Sequence, residues 1–182
     1  MRLGRGGGEC LSAGRREAMT AFRVALDSSG IIGLTHIALF EYLPDIFRDI
    51  FIPDAVYHEV AVKGKGRPGA DAVEKAVQPG WLVRKSVKDT MAVEALLSGL
   101  SRGEAEVIVL AKEIACDYAL IDEKIARNVA ALLNVKTVGV LGVMNMAVAA
   151  GIPVKKQQAI NILRNVGFRI SDKLCEHILN TD

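Results

Sequence analysis

Four carboxylates of this 182-residue chain lie on or beside four separate predicted elements. Asp27 follows the short apolar run "RVAL", and Asp122 follows "DYALI", which has the pattern of a buried strand. Glu104 lies in the first turn of a predicted helix, and Glu59 lies on the helix predicted after the second strand. If the four acids converge, they can stay ionised together only with a cation, because neighbouring like charges oppose ionisation. Carboxylate oxygens suit Mg²⁺ or Mn²⁺, which could activate water for attack on a phosphodiester.

Helix capping is the alternative explanation for three of these acids. Asp27, Glu104 and Asp122 each lie at or near a predicted helix N-terminus, where a carboxylate stabilises the helix by about 0.5–2 kcal/mol. Glu59, taken alone, would be an ordinary solvated helix residue. Only the combination of the four favours a functional site. Glu106 competes with Glu104 for the third position, but the two side chains point about 200° apart around the helix.

The elements that would position these acids alternate between strand and helix. Strands are predicted at residues 22–26, 49–53 and 117–121, within "GWLVRKSV" and within "VKTVGV". Helices are predicted at 28–35, 37–47, 53–62, 71–77, 91–97, 101–115, 122–134 and 141–150, and two more follow Lys155. Ser101 is the predicted cap of the helix over 101–115. The apolar positions of the helix over 122–134 are Ile125, Val129, Leu132 and Leu133. Apolar strands that alternate with helices indicate a parallel sheet covered on both faces. The functional site of such a sheet lies beyond the carboxyl ends of its strands. Asp117 starts the strand that Asp122 ends, so we expect it at the opposite edge without a catalytic role.

The order of the motifs resembles the PIN-domain superfamily. The residues that carry the resemblance are D-x-S after the first strand, "IPDAVYHEV", "SRGEAEVIVLA" and "LIDEKIARNVA". "TVGVLGVMNMAVAAGIP" followed by "LRNVGFRIS" is similar to a branch of PIN-like domains of unknown function. The resemblance implies an α/β fold, a three-layer α/β/α sandwich with a central, mostly parallel sheet, in a single domain over residues 21–182.

The resemblance also implies an activity, since many PIN domains are Mg²⁺- or Mn²⁺-dependent ribonucleases, including VapC-type toxins of toxin–antitoxin pairs. Asp27, Glu59, Glu104 and Asp122 match the family's four acids, and Ser29 matches the small hydroxyl residue that supports the site. Glu104 departs from the family, which more often has aspartate there. The implied partners are RNA and an antitoxin protein encoded nearby, and we expect a homodimer. The alternative is a PIN-fold nucleic-acid-binding or regulatory protein with little or no catalysis.

Basic residues cluster near the predicted site. Lys63, Lys65 and Arg67 lie in the glycine-containing segment "KGKGR", where they could contact an RNA backbone or form an ordinary solvated loop. Arg127, about one turn beyond Asp122, could reach a substrate phosphate or pair with Glu123.

Charge and composition limit what else the chain could be. The net charge of +2 arises within residues 1–20, so the rest of the chain is neutral and gives no global signal of nucleic-acid binding. Residues 1–20 are predicted to be a disordered basic tail, or upstream sequence if Met19 is the true start. They lack the apolar core of a signal peptide, and three widely spaced cysteines fit a reducing, cytoplasmic location. Residues 137–154 are uncharged, but their glycines and Pro153 indicate a strand end and a buried helix rather than a membrane span.

Overall fold

A parallel five-stranded sheet lies at the centre of residues 21–180, the part of the chain that the computed structural model describes. The strands are β1 (Arg23–Leu26), β2 (Asp49–Pro53), β3 (Leu82–Lys85), β4 (Tyr118–Leu120) and β5 (Thr137–Val138), in the spatial order β3-β2-β1-β4-β5. All four neighbouring pairs are parallel, so every carboxyl end lies at one edge. This edge is called the carboxyl edge below, and the opposite one the amino edge. The predicted α/β/α fold is confirmed.

Helices form the connections and cover both faces of the sheet. They are α1 (Ser28–His36), a 3₁₀ turn (Phe40–Tyr42), α2 (Leu43–Ile46), α3 (Asp54–Tyr57), a π-helical turn (His58–Lys63), α4 (Ala70–Val77), α5 (Thr90–Leu96), α6 (Arg102–Glu113), α7 (Lys124–Leu132), α8 (Val140–Ala149), α9 (Lys156–Asn165) and α10 (Asp172–Asn180). The helical stretch predicted over 37–47, with Pro44 near a helix junction, is confirmed at 40–46 and is wrong at 37–39. Ala38 has a φ of 55°, which no helix accommodates, and Pro44 lies in the first turn of the separate helix α2.

Helix α6 is the most deeply buried helix that bears on the predicted site. Val107, Ile108 and Leu110 are buried on it, and α6 packs against β1, β2 and β4. Ser101 caps it as predicted. Since α6 leads into the parallel strand β4, it runs against the strand direction, and its N-terminus lies at the carboxyl edge. Packing therefore fixes the position of Glu104 from one side of the sheet.

Helix α7 buries part of the predicted face, since Val129 and Leu133 pack against the core, but Ile125 and Leu132 do not. Ile125 and Leu132 are 57% and 82% exposed, whereas Ala126 and Ala130 are fully buried. Small alanine side chains let α7 approach α6 and β5 closely, which bulky residues on that face would prevent. Apolarity therefore predicted the buried positions Val129 and Leu133 and misassigned Ile125 and Leu132.

The uncharged segment 137–154 supplies β5 and α8, as predicted. No helix within residues 21–180 is long and apolar enough to cross a bilayer. The predicted basic tail, residues 1–20, lies outside the described residues.

Candidate active site

Asp27 lies at the carboxyl edge, between β1 and α1. Its backbone is extended, and its carboxylate caps α1 by accepting a hydrogen bond from the Ser29 N–H at 3.3 Å. The Ser29 hydroxyl donates to the same oxygen, Oδ2, at 2.6 Å, and the Ser28 hydroxyl lies 3.5 Å from Oδ1. Ser29 thus holds the orientation of Asp27. Both explanations from the sequence, capping and a role in a site, are compatible with this geometry.

The charge of Asp27 is poorly compensated. The side chain is 3% exposed, and no basic nitrogen in residues 21–180 lies within 4 Å of its carboxylate. Burial raises the pKa of Asp27 above its ordinary value, and the charge of Glu104 raises it further. Hydrogen bonds from Ser29 and Ser28 act in the opposite direction. An ionised Asp27 therefore costs free energy unless a cation accompanies it.

Glu59, an exposed residue of the π-helical turn, lies with its carboxylate next to Gly103, as Asp27 does. A Cβ built on Gly103, at the start of α6, would lie 3.2 Å from Glu59 Oε2 and 3.8 Å from Asp27 Oδ1. The two carboxylates therefore flank the same small space beside Gly103. Such π-helical turns are rare and frequently occur at functional sites.

Glu104 and Glu106 have different partners. Glu104 Oε2 accepts hydrogen bonds from the Ser101 N–H and hydroxyl, each at 2.8 Å, in a capping box. Glu106 Oε2 accepts one from the Ala55 N–H at 2.9 Å, in the first turn of α3. Glu104 lies close enough to Asp27 to raise its pKa, but its carboxylate is held by Ser101. Its other oxygen, Oε1, accepts no hydrogen bond within residues 21–180, so Glu104 could act as a ligand through Oε1 while Oε2 stays in the capping box.

Asp122 caps a helix other than the predicted one. Its carboxylate accepts the Val140 N–H, the first of α8, at 3.1 and 3.2 Å, while Glu123 caps α7. Burial raises the pKa of Asp122, the Val140 N–H and Arg127 lower it, and the charge of Asp27 raises it. Asp122 and Asp27 thus interact electrostatically across the carboxyl edge.

Arg127 lies beside Asp122 rather than Glu123. A Cβ on Gly139 would lie 2.5 Å from Asp122 Oδ1 and 3.3 Å from Arg127 Nη1, so only glycine leaves room for both groups. The alternative pairing with Glu123 is not formed within 4 Å in residues 21–180, because the Glu123 carboxylate accepts backbone N–H groups of α7. The guanidinium therefore remains available next to the acids.

The side chains of Lys63, Lys65 and Arg67 are exposed at the end of the π-helical turn and in the loop that follows. Within residues 21–180, none of the three makes an ion pair within 4 Å. Arg84, by contrast, pairs with Asp54 and lies 4.4 Å from the Tyr57 ring centroid, so its charge is already engaged.

Comparison with known proteins gives the family. A model of the DUF3368 family, described as a PIN domain, matches residues 23–181. The chain belongs to the PIN-domain family. No curated protein and no solved structure matched it. Membership confirms the resemblance read from the motifs and indicates a nuclease-type fold that acts on nucleic acid.

PIN domains typically use divalent metal ions, and the acids of this PIN domain fit such an ion chemically. All the donors are carboxylate oxygens, the ligands that Mg²⁺ and Mn²⁺ prefer, and the buried Asp27 has no basic side chain within 4 Å among residues 21–180. No group of three or more His, Cys, Asp or Glu side chains within residues 21–180 is already arranged as a metal site. Asp27 and Glu59 approach a common point, whereas Glu104 and Asp122 bind neighbouring N–H groups.

Two residues of this PIN domain escaped the sequence reasoning. Gly103 and Gly139 leave the space in which the acids lie. The signal for Gly103 was available, since a glycine in the first turn of a strong helix is unfavourable unless space requires it. No local signal existed for Gly139, because its contact with Asp122 joins distant parts of the chain.

Proposed function

We propose that this PIN domain is a Mg²⁺- or Mn²⁺-dependent endoribonuclease that hydrolyses RNA phosphodiester bonds at the carboxyl edge. The observation that supports the proposal most strongly is Asp27, a buried carboxylate with a raised pKa, no cationic partner among residues 21–180, and Glu59 across a small gap. A group in this condition is typical of a functional site rather than of a stabilising contact.

The four acids have separate roles in the proposal. Asp27 and Glu59 would hold a divalent cation from the two sides of the gap beside Gly103, and Ser29 would keep Asp27 oriented. Glu104 would join them through Oε1, with Oε2 held by Ser101, and Asp122 would contribute from its place at the start of α8. A bound cation would offset the negative charges and promote attack of water on the phosphodiester.

The basic side chains would hold the RNA. Arg127, next to Asp122, would meet a phosphate close to the acids, and Lys63, Lys65 and Arg67 would contact the backbone further along the strand. In its more specific form the proposal makes the protein a cytoplasmic, homodimeric toxin of a toxin–antitoxin pair. A small open reading frame with a DNA-binding pattern directly upstream would support that form.

A PIN-fold nucleic-acid-binding protein without catalysis is the second candidate. Glu104 favours it, because one oxygen of its carboxylate already serves the capping box with Ser101. In this case the protein would bind RNA through its basic side chains without cleaving it.

Cleavage of several single-stranded RNAs with added Mn²⁺, with EDTA as the blank, separates the two candidates. The nuclease proposal expects cleavage that requires the ion and stops with EDTA. Retarded migration of the same RNAs without any cleavage would favour the binding protein.

A further inference from the structure

We propose that Gly103 is a positioning residue that keeps the gap between Asp27 and Glu59 open to a divalent cation and limits the size of the ion that fits. The inference rests on the proposed function, since it concerns the same pair of acids. It assigns a role to a residue without any side chain of its own.

The backbone does not require glycine at position 103. Gly103 is the second residue of α6 and does not have a positive φ, so alanine could adopt the same conformation. Glycine within a helix costs roughly 1 kcal/mol relative to alanine. A glycine that is unfavourable for the helix and unnecessary for the backbone indicates that the space itself matters.

The atoms around that space belong largely to the proposed site. A Cβ at position 103 would lie 3.2 Å from Glu59 Oε2, 3.3 Å from Val56 Cγ2 and 3.8 Å from Asp27 Oδ1. Val56 and Asp27 are buried and cannot move aside easily, whereas Glu59 is exposed. A methyl group would therefore take up part of the space beside the two carboxylates, and Glu59 could give way by only a few tenths of an ångström.

The proposed role of Gly103 can be tested by comparing the binding of ions of different size. Mg²⁺ binds oxygen at about 2.0–2.1 Å and Ca²⁺ at about 2.3–2.6 Å, so the larger ion needs the wider gap. A methyl group at position 103 should weaken Ca²⁺ binding more than Mg²⁺ binding. A general loss of folding would weaken both alike.

The test compares Gly103→Ala with Gly99→Ala in the full chain. Gly99 is exposed, lacks a positive φ and has no atom within 4 Å of a built Cβ, so it is a matched control four residues away. Calorimetric titration with Mn²⁺, Mg²⁺ and Ca²⁺ gives the affinities, and Tm without metal reports the fold. We expect Gly103→Ala to weaken Mn²⁺ binding by about tenfold or more, as changes around metal ligands typically do, with an unchanged or raised metal-free Tm. Gly99→Ala should bind like the unmutated protein.

A second arm uses Glu59→Asp, which shortens the side chain at position 59 and restores room. Gly103→Ala should cost less metal affinity in the presence of Glu59→Asp than in its absence. Equal Mn²⁺ affinity of Gly103→Ala and the unmutated protein would overturn the inference and leave the proposed function standing. Gly103→Ala could also lower the metal-free Tm. In that case the inference is overturned if Gly103→Ala reduces metal affinity by the same factor with and without Glu59→Asp. An unmutated protein that binds none of the ions would overturn both the inference and the metal-dependent function.

Discussion

The two edges of the sheet carry acids in opposite circumstances. At the amino edge, Asp49 lies 3.2 Å from the Nε atoms of both Arg23 and Arg48, and Asp117 accepts the Arg23 N–H at 2.7 Å. At the carboxyl edge, no basic nitrogen within residues 21–180 lies within 4 Å of the four proposed site acids, Asp27, Glu59, Glu104 and Asp122.

This difference separates acids whose charge is compensated by ion pairs within the fold from acids whose charge is not. The amino-edge pairs are partly exposed, and such pairs contribute about 0–1 kcal/mol each. At the carboxyl edge, burial raises the pKa of Asp27 and of Asp122. Acids that destabilise the folded chain by themselves are expected to be compensated by a bound ligand.

The largest expected effect is on catalysis, and it contrasts the two edges directly. Asp27→Asn keeps the capping ability of the side chain but removes its charge. Cleavage of single-stranded RNA with Mn²⁺ should fall about a thousandfold or more, because several kcal/mol of charge stabilisation are lost at roughly 1.4 kcal/mol per factor of ten. Asp122→Asn should behave alike, and Asp117→Asn should retain activity. Full activity of Asp27→Asn would end the nuclease proposal.

A smaller loss of RNA cleavage should distinguish Glu104 from Glu106, the two acids near the start of α6. Glu104→Gln preserves the capping box, in which glutamine also serves, and Glu106→Gln preserves the bond to the Ala55 N–H. We expect Glu104→Gln to reduce cleavage about 10–100-fold, as loss of one ligand group does, at an unchanged Tm. Glu106→Gln should cleave normally. The reverse pattern would move the third acid to Glu106.

The next-largest expected effect is on the affinity for RNA beside the carboxyl edge. Replacing Lys63, Lys65 and Arg67 by alanine should weaken RNA binding and reduce the slope of log K against log salt by up to about 2, at roughly 0.7 per phosphate contact with a single strand. Arg48→Ala, which removes an exposed charge at the amino edge, is the control. An unchanged slope in the triple variant would place the RNA elsewhere.

The smallest expected effect is on stability as a function of pH without metal. Because burial raises the pKa of Asp27, its contribution to stability is fullest below an ordinary aspartate pKa of about 4 and is lost as the pH rises through the raised value. Asp27→Asn lacks this titration. Its Tm should match that of the unmutated protein near pH 4 and exceed it near pH 7 by about 2–4 °C, the shift that 1 kcal/mol produces in a chain of this size. A constant difference across that range in thermal melts would contradict the raised pKa.

Local patterns made the fold and part of the site predictable from the sequence. The strand ending before Asp27 is mostly apolar, and Ser101 with Glu104 is a capping-box sequence; both signals lie within a few residues. The buried face of α7 and the attachment of Asp122 to α8 depend on contacts between distant segments. The same holds for the gap at Gly103, whose neighbours come from three elements. Periodicity cannot reveal such contacts.

The central position of β1 has a consequence for how the protein is made. Strand β1 pairs with β4 although Arg23 and Asp117, which are hydrogen-bonded at its start, are 94 positions apart. Closing so long a loop costs chain entropy, and pairings of this kind form slowly. Asp27 and Asp122 become neighbours only after β4 has been synthesised and docked on β1. A growing chain therefore reaches considerable length before the acids meet, and the proposed nuclease would stay inactive until its fold is nearly complete.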